Sequence, residues 1–161
     1  MSTAERMMDD RTAQVDGVAL LLWACDPDMP GRLATPFFLA AAAAAMDVPV
    51  EIYFTAGSVR LLAPGVAQTL YPAAHAGAAA HADPQAATRT GAPSAKPDPR
   101  KSVLDSIREA VGHGAVLFAC SDALQAHGLS QAALIPECTR RGGAVQFMAR
   151  ACDPRWRTLV F

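Results

Sequence analysis

Three features of the sequence predict an α/β fold in which a mostly parallel sheet is covered by helices on both faces. Apolar runs of strand length stand at residues 18–25, 48–55 and 115–119, alanine-rich or amphipathic helical segments alternate with them, and each run stops at a turn. Alternation of this kind produces parallel strands joined by crossover helices, and strands without polar alternation are those buried on both faces. In such sheets the functional crevice lies outside the carboxyl ends of the strands.

Residues 1–16 are polar, mixed in charge and without period, and are expected to form a flexible tail before a single domain over residues 17–161. Val18 to Cys25 is continuously apolar and ends at Asp26-Pro27, a strand followed by a turn. Thr35-Pro36 is a helix start with proline at the first helical position, and the alanines between Phe37 and Met46 imply a helix packed closely on the sheet. Val48 to Thr55 is rich in β-branched and aromatic residues and is expected as the second strand, with Ala56-Gly57 as its exit and Ser58 capping a short helix to Leu62.

From Pro72 to Pro99 the composition shifts to Ala, Gly, Pro, His, Ser and Thr, which is expected as a mobile surface insertion over about residues 72–99. His75 and His81 fall within it, at a spacing that matches no common metal-ligand pattern, so no metal is assigned. Val103, Leu104, Ile107 and Val111 mark one face of a helix that Gly112-His113-Gly114 ends, and Ala115 to Ala119 follows as the third strand. Ser130 starts a further expected helix with Ala133, Leu134 and Cys138 inside and Arg140-Arg141 at its carboxyl end. Ala144 to Ala149 is expected as strand four, and Arg157 to Phe161 as a last edge strand.

The formal net charge is −1 with Lys and Arg scattered, which favours neither a nucleic-acid surface nor a polybasic membrane patch. The most apolar stretch, residues 37–46, is too short to span a bilayer, and Glu5, Arg6, Asp9, Asp10 and Arg11 stand where a signal peptide needs an apolar core; a cytoplasmic protein without a membrane span is expected. The exit of strand one carries Asp26 and Asp28 instead of a glycine-rich loop, so no nucleotide cofactor is expected.

The chemistry converges on Cys120. It stands at the junction between the third strand and a helix that Ser121 or Asp122 is placed to cap and Gly128 to end. Backbone N–H groups and the positive end of a helix dipole stabilise a thiolate, the form that attacks sulfur. His127 belongs to the far end of that helix and His113 to a turn. Of the four cysteines, Cys25, Cys120 and Cys152 fall at expected strand ends, and Cys25-Asp26-Pro27 repeats as Cys152-Asp153-Pro154; Cys138 is expected in the core. With no CxxC pair, reduced thiols are the default.

Leu20-Leu-Leu-Trp-Ala-Cys-Asp-Pro27, Ala41 to Met46 with Val48 to Thr55 and Leu61-Leu62, and Val116-Leu-Phe-Ala-Cys120-Ser-Asp-Ala-Leu-Gln-Ala-His-Gly-Leu129 together resemble the DsrE/DsrF, or YchN-like, family of small sulfur-relay proteins. The resemblance implies a three-layer α/β/α sandwich around a five-stranded sheet whose last edge strand runs antiparallel, assembled as a homotrimer or homohexamer. It further implies a persulfide carried on Cys120, supported by Ser121 and Asp122, and passed to a small sulfur carrier of the TusA type or another thiol. A second expectation is a non-catalytic structural or regulatory subunit of a sulfur-relay complex. A third gives Cys25 or Cys152 the task of resolving an oxidised Cys120, or has the three thiolates hold a metal.

Overall fold

The computed structural model describes residues 15–70, 101–130 and 133–161. The tail expected over residues 1–16, apart from its last two residues, and the insertion expected over about 72–99, with His75 and His81, lie outside the described residues. Five strands form one sheet: β1 (Gly17–Leu22), β2 (Val50–Phe54), β3 (Val116–Ala119), β4 (Arg140–Arg141) and β5 (Trp156–Val160), in the order β4-β3-β2-β1-β5. Every pairing is parallel, with Leu20 opposite Ile52 and Leu159, and Ile52 opposite Leu117.

Because neighbouring side chains on a strand point to opposite faces, each apolar run supplies two cores. Leu20, Leu22, Ile52, Phe54 and Leu117 pack beneath the helices α1 (Ala34–Ala45), α2 (Val66–Thr69), α3 (Val103–Gly112) and α4 (Ser121–Ala126). Ala19, Tyr53 and Phe118 pack on the other face, with Phe147 of α5 (Ala144–Ala151) and with Leu21, Val116 and Trp156. Alanines at 40 and 44 let α1 lie close on the sheet. Gly17 does the same for the last strand, since a Cβ there would lie 2.6 Å from the Trp156 ring. Helix α3 starts in a capping box, the Asp105 N–H donating to Ser102 Oγ at 3.1 Å and the Ser102 N–H to Asp105 Oδ2 at 3.0 Å.

Three expectations are corrected. Residues 144–149 form helix α5 in place of a strand, and the fourth strand is the exposed pair Arg140–Arg141. The helix expected after Ser130 does not run to Arg141: residues 134–139 hold bends and turns. Pro136 explains this, because it has no N–H to donate and it disfavours helical geometry at Ile135; the Ile135 N–H donates to the Leu62 carbonyl at 2.8 Å. The last strand, β5, runs parallel to β1, not antiparallel. A helix between β4 and β5 carries the chain back to the amino end of the sheet, from which β5 can only run parallel.

Candidate functional site

The carboxyl ends of the strands open into a cavity of about 580 Å³. From β1 it is lined by Leu21 and Trp23, from β2 by Phe54 and Thr55, and from β3 by Cys120 with Ser121 and Asp122. Arg141 at the end of β4, Gly142 and Gly143 after it, and Ala144, Phe147 and Met148 of α5 form the opposite side.

Cys120 is held by its backbone at the point where strand becomes helix. Its N–H donates to the Phe54 carbonyl at 3.0 Å, a last rung toward β2, and its carbonyl accepts from the Leu124 N–H at 2.9 Å, the first turn of α4. Cys120 itself occupies the N-cap of α4, and no side chain caps that helix, so Ser121 and Asp122 stand in the first turn and do not cap it. Gly143, the N-cap of α5, closes in from the other side: a Cβ on it would lie 3.9 Å from Cys120 Sγ. The Gly142 N–H donates to the Ala119 carbonyl at 3.1 Å and fixes this approach. The half-buried thiol thus sits beside the amino ends of two helices.

The other cysteines are placed apart from this thiol. Cys25 is 1% exposed within the core beneath α1 and does not line the cavity. Its Sγ lies 3.9 Å from the Arg32 carbonyl, and burial pushes its thiol above the ordinary range, although Arg32 draws it down. Cys152 is exposed at the C-cap of α5. The chain therefore does not bring it to a strand end: eight residues of helix, about 12 Å, separate it from Gly143 beside Cys120, beyond the ~7 Å Cα reach of a disulfide. Cys138 is a core residue, its thiol pushed up to about 11 by burial. None of the four is joined in a disulfide, and no group of three or more His, Cys, Asp or Glu among the described residues could hold a metal ion. His113 and His127 are the C-cap residues of α3 and α4.

Beneath the cavity, an ionic clamp holds α5 to the sheet. Arg150 donates from Nε to Glu51 Oε2 at 2.8 Å and from Nη2 to Oε1 at 2.7 Å, and its guanidinium lies 4.1 Å from the Trp156 ring centre. The Tyr53 hydroxyl donates to Glu51 Oε2 at 2.6 Å, and its ring stacks on Phe118 and meets Phe147 edge-on. Burial raises the Glu51 carboxyl, but the bonds from Arg150 and Tyr53 outweigh it and the carboxyl ends below its usual range. On the β1 side, Ser58 is fully buried and donates to the Leu22 carbonyl at 2.8 Å while accepting the Thr55 N–H at 2.9 Å, which ties the ends of β1 and β2 together.

Sequence reasoning located Cys120 and missed the wall facing it. Trp23 and Thr55 stood within expected strands with no part in the site, Phe147 and Met148 read as strand four, and Arg141 with Gly142-Gly143 read as the end of a helix. The available signal was the spacing of Ala144, Phe147, Met148 and Ala151, which is helical.

The fold defines a wholly parallel, doubly wound α/β protein with a thiol at its strand-end cleft. Among solved structures, the chain is similar to the crystal structure of the ychN protein from E. coli, over 91% of this chain and 100% of that one, with a TM-score of 0.50 and 11% identity. The likeness at that identity is one of fold: the architecture is YchN-like. No family model matches the chain, and no curated protein matches it. No described helix is long and apolar enough to cross a membrane.

Proposed function

We propose that this protein is a cytoplasmic sulfur carrier of the DsrE type that holds sulfane sulfur as a persulfide on Cys120. The observation that carries the reading is the half-exposed Cys120 thiol in the cavity at the carboxyl ends of the strands, with the amino ends of α4 and α5 on either side. In loading, the Cys120 thiolate attacks the outer sulfur of a donor, the donor's S–S bond breaks, and its thiolate leaves with the electron pair. In unloading, the thiolate of an acceptor, such as a small sulfur-carrier protein of the TusA type, attacks the outer sulfur of Cys120–S–SH. Cys120 leaves as thiolate. Ser121 and Asp122 support the turn. Intact-mass measurement after incubation with polysulfide tests the reading: the native protein gains sulfur and Cys120→Ser does not. Equal gain in the variant would sink it.

A second reading, a structural or regulatory subunit within a homotrimer, homohexamer or mixed complex, is favoured by exposed apolar side chains. Trp23, Val145, Met148 and Val160 are 64%, 88%, 51% and 62% exposed on or beside the sheet face that, among the described residues, α5 alone covers. Under it, Cys120→Ala keeps both partner binding and physiological activity; loss of activity with binding intact favours the carrier.

A further inference from the structure

The cavity is graded along the sheet end. Cys120, Ser121 and Arg141 stand at the ends of β3 and β4, whereas Leu21 and Trp23 stand at the end of β1, with Met148 on the α5 side. Parallel strands lie about 4.8 Å apart, so the thiol and the apolar wall at β1 stand two spacings, roughly 10 Å, from one another. A volume of about 580 Å³ falls within the ~300–1,000 Å³ of pockets that take organic molecules, whose walls are apolar and aromatic with a few polar groups at one end. Inorganic donors such as thiosulfate or short polysulfide span a few atoms, carry no apolar surface, and would leave the indole of Trp23, 64% exposed, untouched.

Resting on the carrier reading, we propose that the cavity takes a low-molecular-mass organic hydropersulfide, R–S–SH with an aryl or branched alkyl R group. Its outer sulfur meets Cys120 at the end of β3, and R lies on Leu21, Trp23 and Met148. The Cys120 thiolate forms a bond to the outer sulfur, which keeps its proton; the donor's S–S bond breaks; R–S⁻ leaves with the pair. The products are Cys120–S–SH and a thiolate, with no net oxidation and no further reactant. R–S⁻ then vacates the apolar wall.

The test compares benzyl hydropersulfide with inorganic polysulfide and thiosulfate at equal sulfane-sulfur concentration, following sulfur on Cys120 by intact mass. The benzyl donor is expected to load fastest. Trp23→Ala, a surface change, is expected to lower the ratio of benzyl to inorganic loading rates about tenfold, the effect of withdrawing an aromatic face from an apolar ligand. Calorimetric binding of benzyl thiol to Cys120→Ser, weakened when Trp23→Ala is added, reads the same wall without sulfur chemistry. Equal loading by inorganic donors, or a ratio that Trp23→Ala leaves unchanged, overturns the organic donor while leaving the persulfide carrier standing. Loading from a protein-borne persulfide alone also overturns it. Sulfur on Cys120→Ser as on the native chain removes the carrier reading itself.

Discussion

Gly143 stands beside Cys120 so closely that a methyl group on its α-carbon would touch the sulfur, 3.9 Å away. Gly143 has φ −125° and ψ −157°, outside the left-handed region, so its value here is the room it leaves and not a strained backbone. Gly143→Ala is therefore expected to fold normally and to narrow access to the thiol. Alkylation of Cys120 by a bulky maleimide should slow several-fold, by about 3–10 times for a loss of roughly 1 kcal/mol in the approach. An unchanged rate would mean that reagents reach the sulfur from another side.

The four thiols should separate by burial. Cys25 and Cys138 are 1% and 4% exposed, and burial holds both thiols above the ordinary range, whereas Cys120 lines the cavity and Cys152 lies on the surface. Timed alkylation of the native protein near neutral pH should label Cys120 and Cys152 first, and Cys25 and Cys138 on the slower timescale of opening. Early labelling of Cys25 would contradict its place in the core.

The Arg150 clamp on Glu51 fixes the helix whose amino end faces the thiol. Arg150→Ala leaves a mostly buried carboxylate with only Tyr53 as partner, and should cost about 2 kcal/mol, below the ~3–5 of a fully buried pair because Arg150 is partly exposed. The pH dependence has a definite sign. A carboxyl lowered in the folded state contributes stability above its ordinary range and loses it as pH falls through the folded value. Denaturant titrations should thus show the native chain losing stability on acidification below the usual carboxylate range, with a shallower loss in Glu51→Gln. Identical acid profiles would deny Glu51 this part.

Ser58→Ala removes the hydroxyl that donates to the Leu22 carbonyl and accepts the Thr55 N–H, leaving both groups without that partner in a buried place. A loss of about 2 kcal/mol is expected, read as a lower denaturant midpoint at unchanged slope. A neutral effect would show that water replaces the hydroxyl.

Much of this arrangement was legible in the residues. The runs at β1, β2 and β3 are apolar because both their faces are covered, and Val103, Leu104, Ile107 and Val111 marked a helix that the structure contains. The carboxyl-terminal third was less legible for physical reasons. Strand β4 is two exposed arginines, an edge with no apolar signal, and its pairing depends on β3 alone. Helix α5 buries only Phe147, so Val145, Phe147 and Met148 mimic a β-prone run. Once that segment is helix, Cys152 becomes its cap and the shared edge of three cysteines dissolves. What remains at the strand ends is Cys120, faced by a wall that only the fold assembles.

The most direct measurement of the central claim is to locate the sulfur in the unmodified chain. The protein is incubated with a sulfane-sulfur donor, the persulfide is trapped by alkylation, and the modified peptide is sequenced by mass spectrometry. The account expects the extra sulfur on the peptide containing Cys120, ahead of the more exposed Cys152. Sulfur on the Cys152 or Cys25 peptide, with Cys120 unmodified, would contradict it.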